Sequence, residues 1–253
     1  MGAASAAVGI VVGVINTTGV GFRIGFMVTQ GAGNLASDLY AMVSLSNTLT
    51  FFTVEDLQLF LSLVFIAIAC ILMGAGIPTT ALYIMLVSVA QPALAQLGVP
   101  PIASHMFVLY YGVVSEITPP VWTSAYAAAA IANSNPFRTG ISAFTLGLGK
   151  VVAPMAFVYA PVLLFVSSTG FDLLEFSYTA ASCIAGVIAL SAAVVGFWLT
   201  PIGVVFRLLF AIGGIIFIAP AIKADLVALL VVAPAVISQL LARKRVPAAV
   251  SEF

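Results

Sequence analysis

The chain has 253 residues, 63% of them hydrophobic and only 6% charged, and its eight basic and eight acidic side chains cancel to a net charge of zero. A soluble globular domain carries roughly 25% charged residues, so the composition excludes one and describes an integral membrane protein. With no basic arm beyond Arg243, Lys244 and Arg245, it also points away from a nucleic-acid partner and toward a lipid bilayer.

The apolar runs last about 17 to 30 residues, which suits helices crossing a ~30 Å hydrocarbon core rather than the short alternating strands of a barrel. The expected fold class is therefore an all-α integral membrane protein. About seven spanning helices are expected, plus a re-entrant helical hairpin and a discontinuous helix. The stretch Met1 to Ala6 lacks the Lys or Arg that opens a secretory signal, so the first run is read as a retained membrane segment. A first helix is expected from Ala4 to Thr18, interrupted at Gly19-Val20-Gly21, then a polar turn at Gln30 to Asn34 and an ambiguous segment from Leu35 to Asp56. Residues 1–56 thus form an N-terminal membrane region.

Residues 57–135 read as one repeat of a transporter. Its hairpin, 57–97, has arms Leu57 to Met73 and Ala81 to Leu97, and its broken helix, 102–132, has halves Ile102 to Val114 and Val121 to Ala132. Residues 136–253 supply further spans at Ile141 to Val166, Tyr178 to Leu199, Val204 to Ile222 and Leu226 to Leu241, with Pro201 and Pro220 near helix ends. Placing Arg243 to Arg245 in the cytoplasm puts Arg207 and Arg138 on the same side and Asp172 and Glu175 outside; Lys223 runs against this scheme but stands beside Asp225. The hairpin then enters from the external face.

The chemistry concentrates at two breaks. From Leu57 to Ser115 there is no Asp, Glu, Lys or Arg, yet the middle reads Gly74-Ala75-Gly76-Ile77-Pro78-Thr79-Thr80, which no continuous helix would choose. A second break, Ser115-Glu116-Ile117-Thr118-Pro119-Pro120-Val121, lies between another apolar pair. Inside hydrocarbon an unpaired N–H or C=O costs several kcal/mol, so breaks persist where protein, water, an ion or a substrate satisfies them. Half-helices that end at such breaks aim dipoles and unwound carbonyls at one spot, which suits an anionic substrate together with a small cation.

The candidate contacts are Gly74, Gly76, Pro78, Thr79 and Thr80 on the hairpin, and Ser115, Glu116, Thr118, Pro119 and Pro120 on the broken helix. Either break taken alone reads more simply as a proline kink or a close-packing glycine; the pair together favours a site. Glu116 is the only acidic residue between Asp56 and Asp172, a functional candidate or else an anchor at the membrane edge. His105 reads as a packing residue, and Cys70 and Cys183 as small core residues. No nucleotide loop, metal-spaced His/Cys set or nucleophile elbow occurs, so neither an enzyme nor a resident cofactor is expected.

At these residues the sequence resembles the large permease of the tripartite ATP-independent periplasmic (TRAP) transporters, in the fused branch served by TAXI-type binding proteins. Gly74 to Tyr83 is similar to the family's hairpin motif, and Gly98-Val99-Pro100-Pro101 with Ile117-Thr118-Pro119-Pro120-Val121 continues it; Trp198, Arg207, Pro220 and Asp225 fit the tail. The resemblance implies an elevator-type secondary transporter in a bacterial inner membrane. In such a system a periplasmic protein delivers a small organic acid, and sodium, less often protons, drives uptake. Sodium would then lie near Gly74, Thr79, Thr80 and Thr118. Ala75, Trp122 and the long stretch from Asn34 to the hairpin depart from the family pattern. The resemblance also implies two inverted repeats, whereas one break pair occurs here, so the chain reads as the C-terminal half. Its complement would be a missing N-terminal half or a second chain; the alternative is a non-transporting remnant or a structural membrane subunit.

Overall fold

The structure is a computed structural model and describes residues 2–44, 53–74, 77, 79–119, 122–166, 171–218 and 222–245. Among them every regular element is helical, apart from one isolated bridge between Phe197 and Pro201. Among the described residues four helices are long and apolar enough to cross a membrane: Val54–Met73, Pro136–Tyr159, Leu173–Val195 and the Ala224–Ala242 part of Ile222–Arg245. A bent pair at the N-terminus makes a fifth. Fewer helices pass than the seven or so expected, because Pro101–Ser115 and Val204–Ile218 have only 15 residues each, a rise of ~22 Å against a ~30 Å core.

The chain divides into two compact units, Met1–Gly140 and Ile141–Phe253. In the first, α1 (Gly2–Thr18) and α2 (Val20–Ser44) meet at Gly19, whose φ of +67° lets the axis turn by 65°. Helix α2 packs against both arms of the hairpin, α3 (Val54–Met73) and α4 (Thr79–Gln96). Small residues set the crossing: a Cβ at Gly21 would lie 2.7 Å from the Ser88 carbonyl oxygen, and one at Gly25 would lie 3.0 Å from Ala93 Cβ.

The polar turn expected at Gln30 to Asn34 is instead continuous helix within α2. Glycine in a helix costs only about 1 kcal/mol. Gly33 lets the Gln58 amide approach, to 3.0 Å from where a Cβ would stand, and Gln58 Nε2 donates to the Thr29 carbonyl oxygen at 3.1 Å. Of the ambiguous segment, residues up to Ser44 continue α2, while 45–52 lie outside the described residues.

Helix α3 starts at a reciprocal cap in which Asp56 N–H donates to Thr53 Oγ1, and Thr53 N–H donates back to the Asp56 carboxylate. Helix α5 (Pro101–Ser115) packs on α3 and α4, with Leu63, Leu82, Leu94, Phe107, Val108 and Tyr111 fully buried. Tyr83 and His105 join hairpin and α5 through a 2.7 Å bond between Tyr83 Oη and His105 Nδ1. Helix α6 (Thr123–Ile131) is short, and α7 (Pro136–Tyr159) begins where Asn135 Oδ1 accepts from Arg138 N–H. The single run expected from Ile141 to Val166 ends at Tyr159, followed by a 3-10 turn, Pro161–Leu164, because Pro161 has no N–H to continue the ladder.

In the second unit α8 (Leu173–Val195), α9 (Val204–Ile218) and α10 (Ile222–Arg245) pack in sequence. The corner between α8 and α9 turns on Gly196 at φ +73°. Arg207 reaches back from α9, its Nε donating to the Ala193 carbonyl at 2.8 Å and its Nη2 to the Val194 carbonyl at 2.7 Å. Gln239 of α10, buried, accepts from the Thr200 N–H and hydroxyl. Asp225 of α10 accepts from Tyr178 Oη and from Ser182 Oγ, the latter at 3.0 Å, tying α10 to α8.

Glycines again set the distance of approach. A Cβ at Gly214 would fall 2.7 Å from Leu190 Cγ, whereas one at Gly203 would meet nothing within 4 Å. Gly214→Ala should therefore cost about 1–3 kcal/mol of stability, read as a lower melting midpoint in detergent, with Gly203→Ala leaving the midpoint near the wild-type value.

Candidate functional site

The hairpin tip begins where α3 stops. Gly74 closes the helix, its N–H donating to the Cys70 carbonyl at 2.9 Å, and it is buried. Its lack of a side chain is a tertiary requirement, since a Cβ there would stand 2.5 Å from Ser115 Cβ and closer still to Ser115 Oγ. The first break thus lies directly against the second. Ala75, Gly76 and Pro78 lie outside the described residues. Beyond them Thr79 and Thr80 open α4, half-buried and exposed respectively.

The second break unwinds by degrees. After Ser115 the chain tightens into bonds one residue shorter than the α-helical ladder: Glu116 N–H to the Val113 carbonyl at 3.3 Å, Ile117 to Val114 at 3.1 Å and Thr118 to Ser115 at 3.2 Å. Two hydroxyls reinforce the fraying end, with Ser115 Oγ donating to the Gly112 carbonyl at 2.6 Å and Thr118 Oγ1 to the Val114 carbonyl at 2.8 Å. A hydroxyl whose proton is committed in this way has only lone pairs left to offer. Ser115 and Thr118 are therefore acceptors at a helix C-terminus, where the backbone dipole also favours positive charge.

Of the residues expected from sequence, Gly74 and Ser115 come into contact, and Glu116 and Thr118 follow on the same unwound turn. Pro119 is exposed, and Pro120 lies outside the described residues. No described contact joins Thr79 or Thr80 to Thr118. Glu116 turns toward the next helix, its Oε2 accepting from Ser124 Oγ at 3.0 Å. This partner, in the first turn of α6, is not evident from sequence, where only the i+8 spacing across a proline pair relates the two.

Trp122 was likewise read as a departure from a family pattern and not as a site residue. It forms the N-cap of α6 in the left-handed region, φ 42° and ψ 40°. It is also buried, with its ring on the backbone of Gly140, where a Cβ would lie 2.6 Å from Trp122 Cδ2. A bulky aromatic two residues after a proline pair was the available signal.

Among family models, that of the DctM component of the tripartite ATP-independent periplasmic transporters matches residues 1–170, a stretch that contains the hairpin and the broken helix. No curated protein and no solved structure matches the chain.

Because one methylene separates fit from overlap at the junction of the two breaks, Gly74→Ala should destabilise the protein by about 1–3 kcal/mol. Adding Ser115→Gly to Gly74→Ala should recover part of that loss. A thermal-melt cycle over the four proteins measures the coupling, and independent, additive effects would show that the two residues do not meet.

Proposed function

The chain belongs to the DctM component family of the tripartite ATP-independent periplasmic transporters, and on that premise we propose that it is the C-terminal repeat of an ion-coupled permease for a small organic acid. The coarser statement, a multi-pass membrane permease component, follows from the family together with four or five helices of spanning length. The finer reading is an elevator-type secondary transporter of a bacterial inner membrane. It takes its carboxylate from a periplasmic binding protein of the TAXI type and works beside a small permease subunit and a complementary repeat.

The observation that carries this reading is the contact of Gly74 with Ser115, which brings the tip of a hairpin against the unwound end of a helix. Two helix ends meeting in apolar surroundings gather carbonyls and hydroxyl oxygens that water would otherwise solvate. In this proposal Na+ is held by backbone oxygen at Gly74 and by the hydroxyls of Thr79, Thr80 and Thr118. Gly76 and Pro78 of the hairpin and Ser115, Glu116, Pro119 and Pro120 of the broken helix complete the shared substrate and cation site. The acceptor character of the Ser115 and Thr118 hydroxyls supports a cation at this end.

Thr79→Ala and Thr118→Ala should each lower sodium-driven uptake about tenfold, the effect of losing one ligand worth about 1.4 kcal/mol, with Thr118→Ser largely retaining it. The measurement is uptake into proteoliposomes containing the complementary repeat, the small subunit and the binding protein, under sodium and choline gradients. Wild-type sodium-dependent uptake in both alanine variants would remove the site assignment.

A further inference from the structure

Lys150 stands deep within a helix of spanning length. Along α7 it lies ~18 Å of rise from Arg138, near the start of the helix, and ~14 Å from Tyr159, at its end. A lysine stem extends over about one helical turn, so while α7 crosses a ~30 Å core the ammonium regains neither headgroup region. Lys150 is exposed, and among the described residues its ammonium has no ion pair or hydrogen bond.

Its own unit does not supply a partner. Gly149 sets α7 against Val187 and Ser191 of α8, a level of that helix without an acidic residue. Glu175, in the first turn of α8, is ~24 Å of rise from Ser191, Asp172 caps the same helix, and Asp225 accepts from Tyr178 and Ser182. The charged residue of α9 is another cation, Arg207.

An unmet charge at this depth is expensive, and lysines within spanning helices pair with other groups or line a polar path. The surroundings of Lys150 on α7 favour a pair. Ala143, Leu146 and Lys150 follow the i, i+3, i+7 spacing of a helix-packing seam, and Leu146 is 80% exposed. A second copy of the chain centred on this seam would set Lys150 against itself. A carboxylate on a different helix would meet it.

We propose that the seam of Ala143, Leu146 and Lys150 receives a spanning helix of another protein chain, which brings a carboxylate to mid-bilayer depth against the Lys150 ammonium. The inference needs only that α7 crosses the membrane and does not draw on the solute site at the two breaks.

In the test, the full chain in phosphatidylcholine vesicles is titrated with a synthetic leucine and alanine helix of spanning length that carries one central Asp. Association is read by energy transfer between a dye on each partner. The wild type should bind this helix about tenfold more tightly than the same helix with a central Asn. Lys150→Met should remove the preference, and Lys150→Arg, which keeps the charge, should retain it. Moving the Asp two turns toward the end of the synthetic helix should also abolish the preference, with no change to the chain itself. Equal binding of the Asp and Asn helices by the wild type, indifference to where the Asp stands, or a preference that survives in Lys150→Met overturns the proposal. So does loss of the preference once phosphatidylglycerol is included in the vesicles, since a lipid phosphate would then be the partner.

Discussion

A helix that ends in apolar surroundings leaves up to four carbonyls or four N–H groups without partners, and the cost of each is several kcal/mol when no water can reach it. The architecture of this chain is organised around meeting that cost. At the end of α5 the hydroxyls of Ser115 and Thr118 and a graded tightening of the backbone take up the last carbonyls. At the end of α8 a guanidinium brought from α9 does the same work. The two solutions differ in what they leave behind. Arginine neutralises its helix end and closes it, whereas committed hydroxyls leave lone pairs and an uncompensated dipole.

Close packing at glycine converts these local solutions into a tertiary arrangement. Gly74 admits Ser115, Gly140 admits the face of Trp122, and Gly214 admits Leu190. In lipid the hydrophobic effect gives little reason for one apolar helix to prefer another, so contact area and interhelical polar bonds decide which faces meet. The bonds from Gln58 to Thr29, Tyr83 to His105 and Asp225 to Ser182 and Tyr178 all join different helices.

The helical class and both breaks were legible in the sequence because they rest on composition and on local backbone chemistry. Long uncharged runs require helices, and Gly-Ala-Gly-Ile-Pro or Thr-Pro-Pro interrupts one whatever surrounds it. The region Gln30 to Asn34 was misread for the converse reason: its glycines and amides look like a turn locally, but Gly33 is small because Gln58 packs against it from α3. Of the candidate site, Gly74, Ser115, Glu116 and Thr118 were legible as interruptions. That Gly74 touches Ser115, that Glu116 turns to Ser124 and that Trp122 is buried on Gly140 depend on contacts between elements, to which residue type and spacing are blind.

The corner at Gly196 has a consequence for the order of biogenesis. The carbonyls of Ala193 and Val194 are satisfied by Arg207, and Thr200 is anchored by Gln239, so the bend depends on side chains that a ribosome delivers well after the bend itself. Until α9 has emerged, the tail of α8 must stay hydrated at an interface or within the translocation channel. Helix α10 thereby acts as a latch on the corner, whose polar groups are fully met only once Gln239 has reached Thr200.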